Sequence, residues 1–180
     1  MSQISDTEND LLTVLETERL RLRRLIVEDA EFIVRLLNEP AFLQYIGDRG
    51  VRTLADARAY LMQGPLASYE KFGFGLYLIE LRAARVPVGI CGLLRRDVLD
   101  DADIGYALVS EFRGQGYARE AAAAVVAYAR DALGLARLAA VVDPDNHVSI
   151  RLLERLGFRY ERPVSLADDA APIKLFTTDL

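Results

Sequence analysis

The amino-acid sequence predicts a single mixed α/β domain. Short segments that alternate apolar and polar residues, as strands do, are interleaved with segments whose apolar residues recur at helical spacing. The chain has 180 residues, of which 52% are hydrophobic, and this is enough for one continuous core. No internal repeat or low-complexity linker divides it. We therefore expect one folded domain over residues 15–180, after a flexible acidic tail over residues 1–14.

The first part of the chain is predicted to form a strand and two helices. The alternation Leu20-Arg21-Leu22-Arg23 predicts a strand within residues 15–26, with one apolar and one basic face. Apolar residues at helical spacing predict a helix over residues 28–38, which Pro40 ends. Thr53 is a suitable cap for a second helix, which ends near residue 64 or continues through residue 69.

Strands predominate in the rest of the chain. Residues 74–81 and 86–94 are β-rich runs, and the short polar segment between them suits an antiparallel hairpin. Further strands are predicted over residues 102–109, 138–142, 158–166 and 173–176. Two helices lie among them, one over residues 119–133 and one that begins at Asn146 and is closed by Gly157.

Charge and hydropathy exclude several functional classes. A formal net charge of -5 disfavours nonspecific nucleic-acid binding, which depends on many lysines and arginines that neutralise phosphates. No apolar stretch approaches the roughly 20 residues that cross a bilayer. Residues 1–10 are polar and acidic, unlike a secretory signal. We expect a cytoplasmic protein with neither a membrane nor a nucleic acid as partner.

The few histidines and cysteines limit the chemistry further. His147 is the only histidine and Cys91 the only cysteine, so a multi-His or multi-Cys metal site is excluded and we expect no metal. Cys91 lies in the apolar run 88–94 and is predicted to be a small buried hydrophobic residue. The sequence also has no Gly-x-Ser-x-Gly pattern, which disfavours a serine hydrolase.

The candidate anion site is the segment Arg113-Gly114-Gln115-Gly116-Tyr117-Ala118, between a predicted strand and a predicted helix. The first N–H groups of a helix have no partner within it and its dipole favours anions, so such a turn can bind phosphate. Gly114 and Gly116 let a phosphate approach the backbone, and Arg113 is a permanent cation. The alternative is an ordinary turn in which the glycines serve only the backbone geometry.

The wider segment from Ala102 to Ala121 resembles the GNAT family of N-acetyltransferases. Arg113, Gly116 and Ala118 match the family's pyrophosphate loop, (Arg/Gln)-x-x-Gly-x-(Gly/Ala). A second match lies downstream, where Asn146-His147-Val148-Ser149 opens a helix that ends in Leu156-Gly157-Phe158. The Gly-Tyr strand, the Asn-x-x-Ser form and the segment Thr17 to Leu22 are similar to the branch containing the ribosomal-protein alanine N-acetyltransferases.

This resemblance implies a GNAT fold, with a mixed, mostly antiparallel central sheet of about seven strands and about four helices. It also implies acetyl-CoA as cosubstrate, lying where the strand before the loop parts from its neighbour. Backbone groups of Leu108 and Val109 are then expected to bind the pantetheine arm. The other expected cofactor-binding residues are Arg113, Gly114, Gln115, Gly116, Tyr117, Ala118 and Asn146.

Ser149 and Glu161 are the candidate catalytic residues. In the branch that the chain resembles, the serine that matches Ser149 reprotonates the leaving thiolate. Other family members use a tyrosine as the general acid, and Leu153 occupies that position here. Glu161, three residues after Phe158, matches a base used in part of that branch, with Asp103 or water as the alternative. For Asn146 and Ser149, the alternative is capping of the helix that they open.

The resemblance implies an enzyme that moves acetyl directly to a primary amine. The acceptor is a protein N-terminus or a small molecule, and Asp48, Asp168 and Asp169 are candidates to attract a cationic amine. A non-catalytic acyl-CoA sensor of the same fold and an unrelated α/β interaction domain remain alternatives. Edge pairing of the C-terminal strands would produce a homodimer.

Overall fold

The computed structural model describes residues 11–168 and 170–180 of the chain. The strands in chain order are β1 (Thr13–Glu16), β2 (Leu20–Arg24), β3 (Leu76–Leu81), β4 (Pro87–Leu94), β5 (Asp103–Leu108), β6 (Arg137–Val142), β7 (Arg159–Val164) and β8 (Ile173–Asp179). The α-helices are α1 (Ala30–Leu37), α2 (Pro40–Tyr45), α3 (Leu54–Leu61), α4 (Ala67–Phe72), α5 (Tyr117–Asp131) and α6 (His147–Arg155).

Within the described residues the eight strands form one sheet, in the order β1-β2-β3-β4-β5-β6-β8-β7. Neighbouring strands are antiparallel, except that β5 and β6 are parallel. The prediction of a mixed, mostly antiparallel sheet is therefore confirmed. The sheet has eight strands instead of the expected seven, because residues 13–24 form a hairpin instead of one strand.

The turn of this first hairpin is closed by hydrogen bonds of one threonine. Thr17 N–H donates to the Leu20 carbonyl at 2.9 Å, and Leu20 N–H donates to Thr17 Oγ1 at 3.0 Å. The strand β1 begins at Thr13, inside the segment 1–14 that the sequence suggests is a tail. Residues 1–10 of that segment lie outside the described residues.

The helices between β2 and β3 differ from the predicted ones in two details. Pro40 ends α1 as expected, but it also begins α2, because the first position of a helix needs no N–H donor. Thr53 caps α3 with a capping box, its Oγ1 accepting the Asp56 N–H at 3.1 Å. The helix then passes through a π-helical turn, Met62–Leu66, around Pro65 and continues as α4.

The sheet has an apolar core on each face. One cluster joins the sheet to α5 and α6, with Val125, Leu153 and Phe158 among its buried members. The other joins the opposite face to α1–α3 and includes Ile33 and Leu61. The two groups of helices thus lie on opposite sides of the sheet, and α5 packs against β4 and β5.

The basic face of β2 is buried, which its sequence does not suggest. Arg21 Nε donates to Glu80 Oε2 at 3.0 Å, and Arg23 Nε donates to Glu80 Oε1 at 2.8 Å. Arg23 also forms a two-bond pair with Asp29, at 2.9 and 2.8 Å. Glu80 on β3 is 2% exposed, so this carboxylate joins two strands inside the protein.

We expect Glu80→Ala to lower the free energy of unfolding by about 3–5 kcal/mol, because it removes the carboxylate that two buried guanidinium groups share. Urea unfolding measures this difference. Glu70→Ala, on the exposed surface of α4, is the matched control and should change stability by about 0.5 kcal/mol or less. A Glu80→Ala protein as stable as this control would contradict the assignment.

The outer strands of the sheet are β1 and β7. An edge strand presents unpaired main-chain groups that another chain can pair with, so β7 is available for the predicted homodimer. That homodimer stays a prediction. Among the described residues, no helix is both long and apolar enough to cross a bilayer.

Candidate active site

The central feature of the site is a gap in the sheet between β5 and β6. These strands are joined at one end only, where Asp103 pairs with Ala139 and Ala139 N–H donates to the Ala102 carbonyl at 2.9 Å. Beyond that point β5 continues to Leu108 with β4 as its only partner strand in the described sheet. The predicted parting of the strands is therefore confirmed.

A cleft of about 1430 Å³ lies at this gap. One part, which we call the loop half, is lined by most of residues 113–119, Gln115 excepted, and by residues from the range 140–155. The other, the helix half, is lined by α2–α4 and the loop between α2 and α3, together with Arg95, Arg96 and Asp103. A pocket for one drug-sized ligand measures roughly 300–1,000 Å³, so this cleft has room for two reactants.

The loop half contains the N-terminus of α5. Gly114 and Gly116 have φ angles of 74° and 85°, in the left-handed region that glycine adopts at little cost. Gly116 is the N-cap of this 15-residue helix and provides no capping side chain. The N–H groups of Tyr117, Ala118 and Arg119 lack partners within the helix by geometry, which makes this a suitable place for an anion.

The turn between β1 and β2 holds this loop in place. The Arg19 guanidinium lies 4.6 Å from the centre of the Tyr117 ring and donates to the Gln115 carbonyl at 3.0 Å. It also pairs with Glu120 of α5, at 2.7 Å from Nε to Oε2. Thr17 Oγ1 donates to the same carboxylate at 2.6 Å. These contacts give the segment Thr17 to Leu22 a structural role beside the loop.

Two loop side chains form hydrogen bonds within the protein. The Arg113 guanidinium donates to the Leu108 carbonyl at 2.9 and 2.7 Å and pairs with Glu39 at 3.2 Å, so it joins β5 to the start of α2. Gln115 does not line the cleft, since its side-chain amide donates to the Glu111 carbonyl at 3.0 Å. The loop therefore offers a ligand chiefly its backbone N–H groups, and Arg113 lines the cleft beside them.

The pleat of β5 decides which of its backbone groups face the gap. Val109 N–H donates to the Val88 carbonyl of β4 at 3.0 Å. This N–H group is therefore not available to the pantetheine arm, contrary to the expectation for Val109. Main-chain groups alternate in direction along a strand, and Ala102 faces β6. Ile104, Tyr106 and Leu108 therefore present their N–H groups to the gap.

Ser149 forms a hydroxyl pair with Tyr106, the tyrosine of the Gly-Tyr strand, to which the sequence analysis gave no role at the site. Its Oγ lies 2.7 Å from the Tyr106 hydroxyl, across the gap between α6 and β5. Asn146 Oδ1 accepts the Ser149 N–H at 3.1 Å and so caps α6. Burial raises the pKa of Tyr106 to about 12, so its phenol stays protonated and can donate to Ser149.

The two candidate bases lie in different places. Glu161 does not line the cleft; its carboxylate accepts a hydrogen bond from Thr177 Oγ1 at 3.0 Å and pairs with Arg137. Glu161 as the base stays a prediction that this position does not support, because the carboxylate is held at another part of the sheet surface. Asp103 does line the cleft and is 1% exposed, with Arg96 Nε at 3.1 and 3.0 Å from its two oxygens. Burial raises the pKa of Asp103, and the Arg96 guanidinium opposes that rise.

The remaining sequence candidates lie apart from the reacting region. Cys91 is fully buried in β4, does not line the cleft, and burial raises the pKa of its thiol. Asp48 does not line the cleft either, and both its oxygens accept from Arg52, at 3.0 and 2.6 Å. Asp168 is exposed and outside the cleft lining, and Asp169 lies outside the described residues.

Comparison with known proteins agrees with this architecture. Residues 19–159 match the family described as acetyltransferase (GNAT) domain. The chain is 33% identical over 152 residues to the uncharacterized N-acetyltransferase YoaA of Bacillus subtilis, which covers 84% of this chain and 85% of that protein.

Solved structures show the same fold. An acetyltransferase from Agrobacterium tumefaciens superposes with a TM-score of 0.77 and 27% identity, covering 92% of this chain and 93% of that one. The ribosomal-protein-S5-alanine acetyltransferase from Vibrio fischeri has a TM-score of 0.74 and 19% identity, covering 92% and 95%. The chain belongs to the GNAT family of acetyltransferases, whose acyl donor is acetyl-CoA.

Proposed function

We propose that this protein is an N-acetyltransferase that moves acetyl from acetyl-CoA directly to a primary amine while both are bound in the cleft. The observation that carries the proposal is the gap between β5 and β6, which has the α5 N-terminus on one side and the Tyr106–Ser149 hydroxyl pair across it. An anion site and a proton-donating pair are thereby brought to one opening in the sheet.

The residues present fit the cofactor. Gly114 and Gly116 leave the backbone of the loop open, and nothing lies within 4 Å of a Cβ built on Gly114. Backbone N–H groups from Gly114 to Ala118 would hold the pyrophosphate, and the cleft-facing N–H groups of β5 would hold the pantetheine arm. When bound, acetyl-CoA supplies an activated thioester.

The hydroxyl pair would control the proton at the sulfur. A phenol is the stronger donor of the two, so Tyr106 donates to Ser149 Oγ and leaves the Ser149 hydroxyl proton free to point elsewhere. Ser149 is the proposed acid that gives this proton to the leaving thiolate. Tyr106 is a positioning residue, because it acts through Ser149.

The attacking amine must lose a proton, since an ammonium ion has no lone pair. Asp103 is the proposed acceptor of that proton, through water, because of the two acids weighed for the role only Asp103 lines the cleft. Its raised pKa makes it a better base than an ordinary carboxylate. An acetyl-enzyme is not part of the proposal, since Cys91 is buried away from the cleft.

Thermal shift with acetyl-CoA, joined to an assay of free-thiol release with a panel of amines, tests the proposal. We expect acetyl-CoA to raise the melting temperature and thiol release to depend on an added amine. Stabilisation without amine-dependent thiol release would indicate a non-catalytic acyl-CoA sensor instead. The absence of both signals would refute the proposal.

A further inference from the structure

The helix half of the cleft is rich in positive charge, although the chain as a whole has a net charge of -5. Its cationic side chains are Arg49, Lys71, Arg95 and Arg96, and Asp103 is its one carboxylate among the described residues. A pocket that attracts cations needs the opposite balance. Arg96 and Asp103 lie at the start of β5, whereas the α5 anion site follows the end of that strand, so the pyrophosphate does not account for this charge.

Two of these cations have donors available to a ligand. Among the described residues, Arg49 forms neither a hydrogen bond nor an ion pair with another side chain. Arg96 uses only its Nε for Asp103, which leaves both Nη groups open within the described part of the chain. The others are engaged: Arg95 donates to the Asp100 carbonyl at 2.7 Å, and Lys71 Nζ lies 4.9 Å from the centre of the Phe72 ring.

Tyr60 lines the cleft together with the two available guanidinium groups. It lines the helix half, and both Arg49 and Arg96 interact electrostatically with its hydroxyl. Burial raises the pKa of Tyr60, so the phenol remains a hydrogen-bond donor. Two guanidinium groups and one phenol, all donors, line the same half of the cleft, and an anionic group such as a carboxylate accepts hydrogen bonds from such a set.

We propose that the amine acceptor carries a carboxylate, which Arg49, Arg96 and Tyr60 bind in the helix half of the cleft. This inference rests on the proposed function, because it names the acceptor class of the same site. It reverses the expectation of a cationic amine: polyamines and polycationic antibiotics would meet four like charges there. A free amino acid and a peptide with an acidic residue beside its N-terminus share the required chemistry.

Matched acceptor pairs test this inference. Each free amino acid is compared with its carboxamide, and the dipeptide Ala-Glu is compared with Ala-Gln. Spermidine is included as a polycationic acceptor. Rates are corrected for the fraction of uncharged amine, which is larger in the carboxamides. For whichever acid is the better acceptor, the amino acid or Ala-Glu, we expect kcat/KM to exceed that of its neutral partner about tenfold or more. A charge-assisted contact predicts a difference of this size. The pair that shows the preference identifies the source as amino acid or peptide.

Variants of Arg49 localise the effect. Arg49→Gln should raise KM for the carboxylate acceptor about tenfold and leave KM for its neutral partner unchanged. Arg49→Lys should restore part of the low KM for the carboxylate acceptor. Arg58→Gln removes the same charge from an exposed position of α3 outside the cleft lining and should have no effect. Equal rates within every pair, a preference for spermidine, or an equal effect of Arg49→Gln on both partners would overturn the inference.

Calorimetry separates this inference from the proposed function. The same compounds are titrated into protein saturated with coenzyme A, so that the subsite is tested even if no amine is acetylated. Tighter binding of the acids, lost in Arg49→Gln, supports the subsite regardless of turnover. Equal or absent binding of both partners overturns it. Acetylation of amines without any preference would leave the proposed function intact and refute only the carboxylate site.

Discussion

Gly116→Trp is expected to weaken acetyl-CoA binding by about a hundredfold or more while the protein stays folded. Gly116 caps α5 at the place where the backbone N–H groups converge, so an indole there fills the space that the pyrophosphate needs. A Cβ at this position already comes within 3.3 Å of Arg19 Nη2. Titration calorimetry with acetyl-CoA measures the loss.

The control for this variant is Gly134→Trp. Gly134 has a φ of 64°, also in the left-handed region, and a Cβ built on it meets nothing within 4 Å. Both variants therefore bear the same kind of backbone strain, about 1–2 kcal/mol, but only one of them lies at the cofactor loop. A folded Gly116→Trp protein that binds acetyl-CoA as tightly as Gly134→Trp would remove the loop from the account.

Ser149→Ala is expected to lower kcat about a hundredfold, because it removes the proposed acid. Tyr106→Phe should lower kcat as well, by a smaller factor, because Ser149 can still reach the sulfur but is no longer held by the phenol. KM for acetyl-CoA and the melting temperature should change little in either variant. A purely structural role of Tyr106 would instead show as a lower melting temperature.

The double variant shows whether the two hydroxyls act as a unit. If Tyr106 works through Ser149, adding Tyr106→Phe to Ser149→Ala should cost nothing further, since contacting residues are not additive. Tyr160→Phe, on the exposed edge strand β7, is the control and should behave as the unmodified protein. Independent, multiplicative losses would contradict the proposed pairing, and wild-type kcat in both single variants would refute the two assignments.

Much of the architecture could be predicted because it depends on local signals. Period-two alternation and helical spacing predict most strands and helices within a few residues, and the glycine turn marks the start of α5. The parting of β5 from β6 is what the resemblance to the GNAT family implied, and two motifs in the correct order carry that resemblance. Each motif lies within one short segment of sequence.

Contacts between distant segments could not be predicted in this way. The Arg-x-Arg alternation of β2 is typical of a solvent-facing strand, and its burial depends on Glu80, which lies 57 and 59 residues away from Arg23 and Arg21. Tyr106 has the appearance of ordinary strand core, and its role appears only when α6 brings Ser149 within 2.7 Å of its hydroxyl.

The position of Glu161 also has a physical cause. Glu161 lies on the edge strand β7, with β8 between it and the strand β6 that borders the gap. Spacing from Phe158 cannot reveal which strands lie between two positions of the folded sheet. The position of Asp103 depends likewise on tertiary structure, since its neighbour Arg96 and the gap beside β6 come from separate parts of the chain.

A single-turnover experiment with acetyl-labelled acetyl-CoA tests the central claim most directly. The label is followed by mass spectrometry in both the acceptor amine and the intact protein, at times shorter than one turnover. Direct transfer predicts that label passes to the amine in amounts equal to the coenzyme A released, with none on the protein at any time. Label that appears first on the protein, on Cys91 or any other residue, and then moves to the amine would contradict direct transfer in the cleft.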